Sequence, residues 1–321
     1  MLAAYANKID PDDPLSGLAV GERPDPQSRE GWTTVTVKAA ALNHHDLWTL
    51  RGVGIRQDQL PIILGGDAAG VDEDGNEVVV HSVISSPGWM GDDTLDPKRS
   101  LLSEVYDGTL AEKVLVPRRN LVRKPASLTF EEAACLPTAW LTAYRMLFVK
   151  LRLTPGSTVL IQGAGGGVST AAIALGKTAG LRVWVTGRSE AKRAAAIQLG
   201  ANQAFEPGAR LPERVDAVID NVGQATWSHS MKSLKPGGAI VTCGATSGPN
   251  PPSDLNRVFF LQLRVLGSTM GTRDELEELL SLLDTTGLRP QIDSVLPLAE
   301  ARTGLKRLED GDVQGKVVLV P

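Results

Sequence analysis

One segment limits the possible folds of this chain more than any other. The apolar run Thr158-Val159-Leu160-Ile161 passes through Gln162-Gly163-Ala164-Gly165-Gly166-Gly167-Val168-Ser169 into a helical stretch from Thr170 to Lys177. A buried strand, a turn of small residues and a helix start bring backbone N–H groups and the positive end of a helix up to a phosphate. The strict G-x-G-x-x-G spacing is not met. In the register Ala164, Gly166, Ser169 every position is small, but only Gly166 is glycine. A plain tight turn also uses glycine, so the weight falls on the placement after a strand and before a helix. Further strand candidates follow at Val183 to Thr186, Ala217 to Ile219, Ala239 to Thr242 and Val265-Leu266, interleaved with helical segments such as Ser189 to Leu199. Short apolar runs separated by helices are the signature of a parallel sheet covered on both faces. The expected fold class is therefore α/β, with a Rossmann-type doubly wound sheet.

The rest of the chain has another texture. Thr33-Thr34-Val35-Thr36-Val37 alternates as a half-buried strand does, Val78-Val79-Val80 is a second run, and Pro87 to Leu101 is a long polar loop. After Arg123-Lys124-Pro125, Thr129 opens a helix whose Glu131 and Glu132 meet its positive end. Leu276, Leu279, Leu280 and Leu283 follow helical spacing, and the chain ends on a strand, Lys316 to Val320, that needs a sheet to join. The β-rich first part is the natural host. This reading divides the chain into a β-rich domain, 1–122 completed by 271–321, and a Rossmann domain, 123–270.

With 321 residues there is enough chain for about two cores of ordinary size. A formal charge of -4 leaves no basic footprint, so nucleic acid is not an expected partner. No apolar stretch is long enough to span a bilayer, so no membrane partner is expected either. Cys135 and Cys243 can build neither a disulfide framework nor a cysteine metal site, and Met1 to Asp10 has no apolar leader core. The expected setting is the cytoplasm, and the expected partner a small molecule.

The cofactor is read at the end of the second Rossmann strand, where an acidic residue usually takes the ribose hydroxyls of NAD. Here Thr186-Gly187-Arg188-Ser189 stands there, with Lys192 one turn later. No carboxylate is present, and an arginine, a hydroxyl and a lysine suit a 2′-phosphate, so the expected cofactor is NADPH; a solvated helix start is the plainer alternative. Ligands in open α/β sheets lie beyond the carboxyl ends of the strands. That nominates Ala164, Gly165, Gly166, Gly167 and Val168 for the pyrophosphate. For the nicotinamide half it nominates Asn221 and Val222, Cys243-Gly244-Ala245, and Ser268-Thr269-Met270. Cys243, with no histidine near it in sequence, reads as a wall residue. Gly176-Lys177-Thr178 imitates the end of a P-loop but falls inside the helix, where its amides are already bonded.

A series of short motifs, in order and spacing, resembles the medium-chain dehydrogenase/reductases. They are Ala41-Leu42-Asn43-His44-His45-Asp46, Leu64-Gly65-Gly66-Asp67-Ala68-Ala69-Gly70, Asp107-Gly108-Thr109-Leu110-Ala111-Glu112, Leu136-Pro137-Thr138-Ala139-Trp140-Leu141-Thr142-Ala143-Tyr144, the glycine turn, Asp220-Asn221-Val222-Gly223 and Gly315-Lys316-Val317-Val318. The zinc-free quinone-oxidoreductase branch is the most similar. The resemblance implies a GroES-like catalytic domain completed by the C-terminal segment, an inserted Rossmann domain and a homodimer. Zinc members of the family ligate their metal with a cysteine, a His-Glu pair and a second cysteine; the corresponding positions here are Asn43, Gly66-Asp67 and Thr138. An amide, a glycine and a hydroxyl do not replace thiolate and imidazole, so no metal is expected. The loop Pro87 to Leu101 has no cysteine for a structural zinc either.

The resemblance also places Asn43 near the nicotinamide and the substrate carbonyl, although Asn43-x-x-Asp46 fits a helix cap with an acidic third residue equally well. His45 is either a proton relay or structural. Thr138 and Thr142 resemble residues facing the cofactor, and Lys316 resembles a C-terminal cofactor contact, with a solvated lysine as the alternative. Without a Lewis acid, reduction of an electron-poor acceptor is the accessible chemistry. The expected function is hydride transfer from NADPH to a quinone or an α,β-unsaturated carbonyl. The alternatives are an NADPH-binding structural or sensor protein with little turnover, or a dehydrogenase of another carbonyl/alcohol pair.

Overall fold

The computed structural model describes Met1 to Pro321, and the chain divides into two compact units, Met1–Leu141 with Gly271–Pro321 and Thr142–Met270. In the second unit six strands form one parallel sheet. Their order is Gln203–Phe205, Arg182–Thr186, Thr158–Gln162, Val215–Asp220, Leu234–Thr242, Arg264–Gly267. In chain order this is 3-2-1-4-5-6, the doubly wound arrangement, with its switch point beside the first strand. Val159, Leu160, Ile161, Val183, Val185, Val218 and Ile219 are buried, as strands covered on both faces require. The strand Gln203–Phe205 was not among the expected ones: three residues with an exposed glutamine carry no apolar period.

The first unit is built on a mainly antiparallel sheet. Its path is Leu121–Arg123, Glu77–Val80, Asp67–Asp72, Trp32–Ala41, Lys316–Val320, Ile292–Pro297, and Lys113–Pro117 also pairs with Trp32–Ala41. The terminal strand joins where expected, with Val318 opposite Ala41 and Leu319 opposite Ala40. Its only parallel pairing is with Ile292–Pro297. The helix Arg273–Thr286 buries Leu276, Leu279, Leu280 and Leu283 behind a capping box made by Thr272 and Glu275.

The first boundary falls after Leu141, where sequence expectation put it at 122. The helix Phe130–Ala134, opened by the Thr129–Glu132 capping box, buries Ala133 and Ala134 and goes with the first unit, as does the turn Leu136–Trp140. Their apolar faces have the β sheet to cover, and this overrides the change of texture at Lys124.

Candidate active site

The register of the first unit's sheet places three chemically distinct side chains at neighbouring strand ends. Ala41 lies opposite both Asp67 and Val318, so the residues just past or before them, Asn43, Asp67 and Lys316, meet. Lys316 is 2% exposed, and its ammonium donates to Leu42 O (2.7 Å), Asn43 Oδ1 (2.7 Å) and Asp67 Oδ2 (3.1 Å). The Asn43 amide donates in turn to Asp67 Oδ2 (2.8 Å) and Ala41 O (3.3 Å). A buried ammonium and a buried carboxylate need such partners, because neither can be left bare in an apolar interior.

This knot bears on two expectations. Lys316 is not solvated, and its three N–H donors are all used inside the unit rather than offered to a cofactor. The Asn43 amide likewise has its acceptor and both donors engaged, so it has no spare hydrogen for a substrate carbonyl. Asp46 is fully buried, and its Oδ2 accepts from the Asn43 backbone N–H (2.8 Å) at the start of the helix His44–Leu50. Burial pushes its carboxyl up to about 6, and its Oδ1 has no partner.

The remaining positions that correspond to the family's metal ligands are also poor in donors. A Cβ built at Gly66 would lie 3.6 Å from both the Thr138 and the Ser82 hydroxyl, so two hydroxyls face a residue with no side chain. Ser82 Oγ is buried without a partner. The adjacent Cys135 gives its Sγ hydrogen to Glu131 O, and burial pushes the thiol up to about 12, far from a thiolate. No group of three or more His, Cys, Asp or Glu side chains gathers to hold a metal ion.

His45, one residue before Asp46, points its Nε2 at Glu104 Oε1 (3.1 Å) and its Nδ1 at the Ser103 hydroxyl (3.4 Å), with 23% of the side chain exposed. Burial pulls the imidazole down, but the bond to Glu104 and the charges of Asp46, Glu104 and Asp67 outweigh it and leave the ring above its ordinary value. Glu104 lies 59 residues away, and nothing in the sequence marked it.

In the second unit the carboxyl ends of the strands are tied together by a buried polar network that sequence reasoning missed. Gln162 accepts from the Thr186 hydroxyl (2.6 Å) and donates to Ser230 Oγ (3.0 Å), and Ser230 donates to Asp220 Oδ2 (2.6 Å). Asp220 Oδ1 accepts from the N–H groups of Val222 (3.0 Å) and Gly223 (2.9 Å), fixing the turn that carries Asn221. Thr186, expected at the cofactor, is 2% exposed and spends its hydroxyl on this network.

The glycine turn fits a pyrophosphate. Gly163 takes φ +100°, where a side chain would be strained, and the helix Gly167–Thr178 starts at Gly166 with no side-chain cap, leaving its first amides to an external acceptor. Gly165 and Ala164 are buried, while Gly166, Gly167 and Val168 are half-buried. A Cβ at Gly187 would sit 2.9 Å from that of Ala164, so the two turns touch and glycine is required there. Arg188 and Ser189 are exposed, Lys192 is half-buried, and Ser189 Oγ caps the helix Glu190–Leu199. Arg193, not singled out in the sequence, donates to Gly187 O (2.7 Å) and braces the turn.

Further along the strand ends Asn221, Val222, Cys243, Gly244 and Ala245 are half-buried. So are Ser268, whose Oγ has no partner, and Met270, at φ +48°; Thr269 is exposed and Thr142 buried. Burial pushes the Cys243 thiol up to about 12, which suits a wall residue. The residues of this unit therefore fit a dinucleotide, whose nicotinamide, when bound, supplies or takes up a hydride.

With a GroES-like unit interrupted by a 3-2-1-4-5-6 Rossmann sheet, the architecture is that of a two-domain nicotinamide oxidoreductase. Residues 29–126 match the alcohol dehydrogenase GroES-like domain and 167–285 the zinc-binding dehydrogenase family. The chain is 30% identical to an acryloyl-coenzyme A reductase of Metallosphaera sedula, over 94% of this chain and 96% of that one. Among solved structures it resembles an NAD-dependent alcohol dehydrogenase (TM-score 0.92, 36% identity, 100% of both chains). It also resembles the 2-octenoyl-CoA carboxylase reductase CinF in complex with NADP and 2-octenoyl-CoA (TM-score 0.92, 26% identity, 99% of this chain and 87% of that one). The chain belongs to the medium-chain dehydrogenase/reductase superfamily.

Proposed function

We propose that this chain is an NADPH-dependent, zinc-independent reductase of α,β-unsaturated carbonyl compounds, with quinones as related acceptors. The observation that carries the reading is the buried Lys316–Asp67–Asn43 knot. At the positions where the family places a metal, Asp67 is already neutralised by an ammonium, and Asn43, Gly66 and Thr138 supply no thiolate or imidazole. Polarising a saturated alcohol to an alkoxide asks for a Lewis acid; an electron-poor double bond asks mainly for positioning and a hydrogen-bond donor. The Thr138 and Ser82 hydroxyls beside Gly66 are the donors we assign to the substrate oxygen, in place of the Asn43 amide.

Two of the similar proteins are named for enoyl thioesters, which favours the unsaturated carbonyl over the quinone. The alcohol dehydrogenase named for NAD pulls the other way on the cofactor. Against it stand Arg188 and Ser189, exposed beside a strand end with no carboxylate. No helix is long and apolar enough to cross a membrane, and the two cysteines are free thiols, which suits a reducing cytoplasm.

The test is stopped-flow oxidation of NADPH against a panel of enones, enoyl thioesters and quinones, before and after exhaustive chelation, with metal content measured. The expected outcome is oxidation with unsaturated carbonyls that survives chelation, at well under one zinc per chain. One tightly held zinc whose removal abolishes turnover would falsify the zinc-independent reading. Tight NADPH binding with no oxidation by any acceptor would point to a sensor or structural protein instead.

A further inference from the structure

In a sheet whose strands are otherwise apolar, Gln162 stands in register between Thr186 on one neighbouring strand and Asp220 on the other. All three are at most 2% exposed, and each is the last residue of its strand. The turns that follow them carry Ala164 to Val168, Gly187 to Ser189, and Asn221 with Val222. We infer that His229, on the helix Gln224–Ser233, is a positioning residue of the dinucleotide site. The hydrogen-free Nδ1 of its ring sets the direction of the hydrogen bonds that tie these strand ends together; this rests on the reading of their turns as the seat of a dinucleotide.

The directions are fixed from both ends of the chain of bonds. At one end the Asp220 carboxylate can only accept, and its Oδ2 takes the single Ser230 hydroxyl hydrogen at 2.6 Å. Ser230 Oγ can then only accept from Gln162, so the Gln162 atom 3.0 Å away is Nε2. The same Nε2 lies 3.0 Å from His229 Nδ1, which must therefore be without hydrogen. At the other end the Ala209 carbonyl, which can only accept, stands 2.9 Å from His229 Nε2 and puts the ring's hydrogen there. Both ends require the same tautomer. With its amide so turned, Gln162 offers Oε1 to the Thr186 hydroxyl (2.6 Å), and Thr186 Oγ1 faces the Gly163 N–H (3.4 Å) at the start of the glycine turn.

A hydrogen on Nδ1 would reverse the chain. Gln162 would turn Oε1 toward His229, and Ser230 would turn its hydrogen from Asp220 to that oxygen. The carboxylate that orders the Val222 and Gly223 N–H groups would then lose a buried partner. An apolar side chain at 229 would instead leave a Gln162 N–H unmatched inside the unit. Packing of a helix on a sheet asks for neither the ring nor the polar row, since apolar side chains cover a parallel sheet with less at stake. Three strand ends that must hold their turns at fixed spacing for one extended ligand do ask for them.

The experiment titrates the whole chain with NADPH, followed by its fluorescence, with no acceptor present. His229→Leu, similar in bulk and without an acceptor, should raise Kd by about tenfold or more, in keeping with one unmatched buried donor. His229→Asn, whose Oδ1 takes the place of Nδ1, should keep Kd within about threefold of wild type. Undiminished affinity in the Leu variant, or equal loss in both variants, overturns the inference. Should His229→Leu not fold, nitrogen NMR of wild type labelled at histidine decides, with the His229 signals identified by their absence from His229→Asn. The ring should carry its hydrogen on Nε2 alone, and a hydrogen on Nδ1 overturns the inference. A wild type that binds neither NADPH nor NADH overturns the dinucleotide reading of the turns, and the inference with it.

Discussion

At the scale of single residues, the proposed preference for NADPH rests on Arg188. Its side chain is exposed, whereas the neighbouring Arg193 is spent on the Gly187 carbonyl and approaches Glu206 (3.6 Å). A 2′-phosphate bonded by arginine gains about 1.5–3 kcal/mol per charge-assisted bond, or roughly ten- to hundredfold in affinity. Arg188→Ala should therefore raise KM for NADPH by about tenfold or more and leave NADH nearly unchanged. The ratio of kcat/KM for the two cofactors, in wild type and variant, reads this directly; an unchanged ratio, or a wild type that prefers NADH, means another residue decides. A new carboxylate at Gly187 is not a usable converse, because its Cβ would collide with Ala164. Arg188 was legible in the sequence because local order along a strand end decides where it lies. The partners of Lys316 were not: they lie 249 and 273 residues away, and only the sheet register brings them together.

Among the elements, strands and helices with a strong apolar period were legible, and those held by tertiary cover were not. Thr158–Gln162 and Arg182–Thr186 stand within a residue of their expected places, because continuous burial leaves an unbroken apolar run. Gln203–Phe205 is too short for any period, and the first boundary moved because packing, not texture, assigns the helix Phe130–Ala134. The start of the helix His44–Leu50 illustrates both sides. Its acidic third residue was legible; the complete burial of that residue was not. Asp46 has a folded value of about 6, raised by burial above an unfolded value near 3.8. A raised carboxyl binds more protons folded than unfolded, so its contribution to stability falls as pH rises from about 4 to 6. Asp46→Asn keeps the acceptor for the Asn43 N–H and removes the ionisation. Relative to the variant, wild type should lose up to about 3 kcal/mol of unfolding free energy across that window, measured by urea melts at stepped pH. Parallel pH profiles for the two proteins would mean that Asp46 stays charged at no cost.

For the whole molecule, the edge of the Rossmann sheet bears on assembly. Arg264–Gly267 pairs only with Leu234–Thr242, leaving its outer row of N–H and C=O groups unmatched in the chain. An edge like this, left bare, is a template for association. Exposed apolar residues stand around it beside Arg264: Val265 is 49% exposed, and the helix just before it leaves Leu255 at 68%, Phe259 at 63% and Phe260 at 81%. The homodimer that the family resemblance implies would cover this edge, pairing strand to strand across a twofold axis and burying the two phenylalanines of each protomer. Fully burying a phenylalanine contributes roughly 1.5–3 kcal/mol before the cost of association is met, so the four rings would supply a substantial part of the gross stabilisation. Light scattering at micromolar concentration should therefore give about twice the 34.1 kDa of one chain. Phe260→Glu, which places a charge in the centre of the contact, should shift the protein to monomer, and Val265→Lys should do the same by blunting the edge. A wild type that is monomeric at tens of micromolar, or a Phe260→Glu protein that remains dimeric, would show that the edge is covered by something other than its own copy.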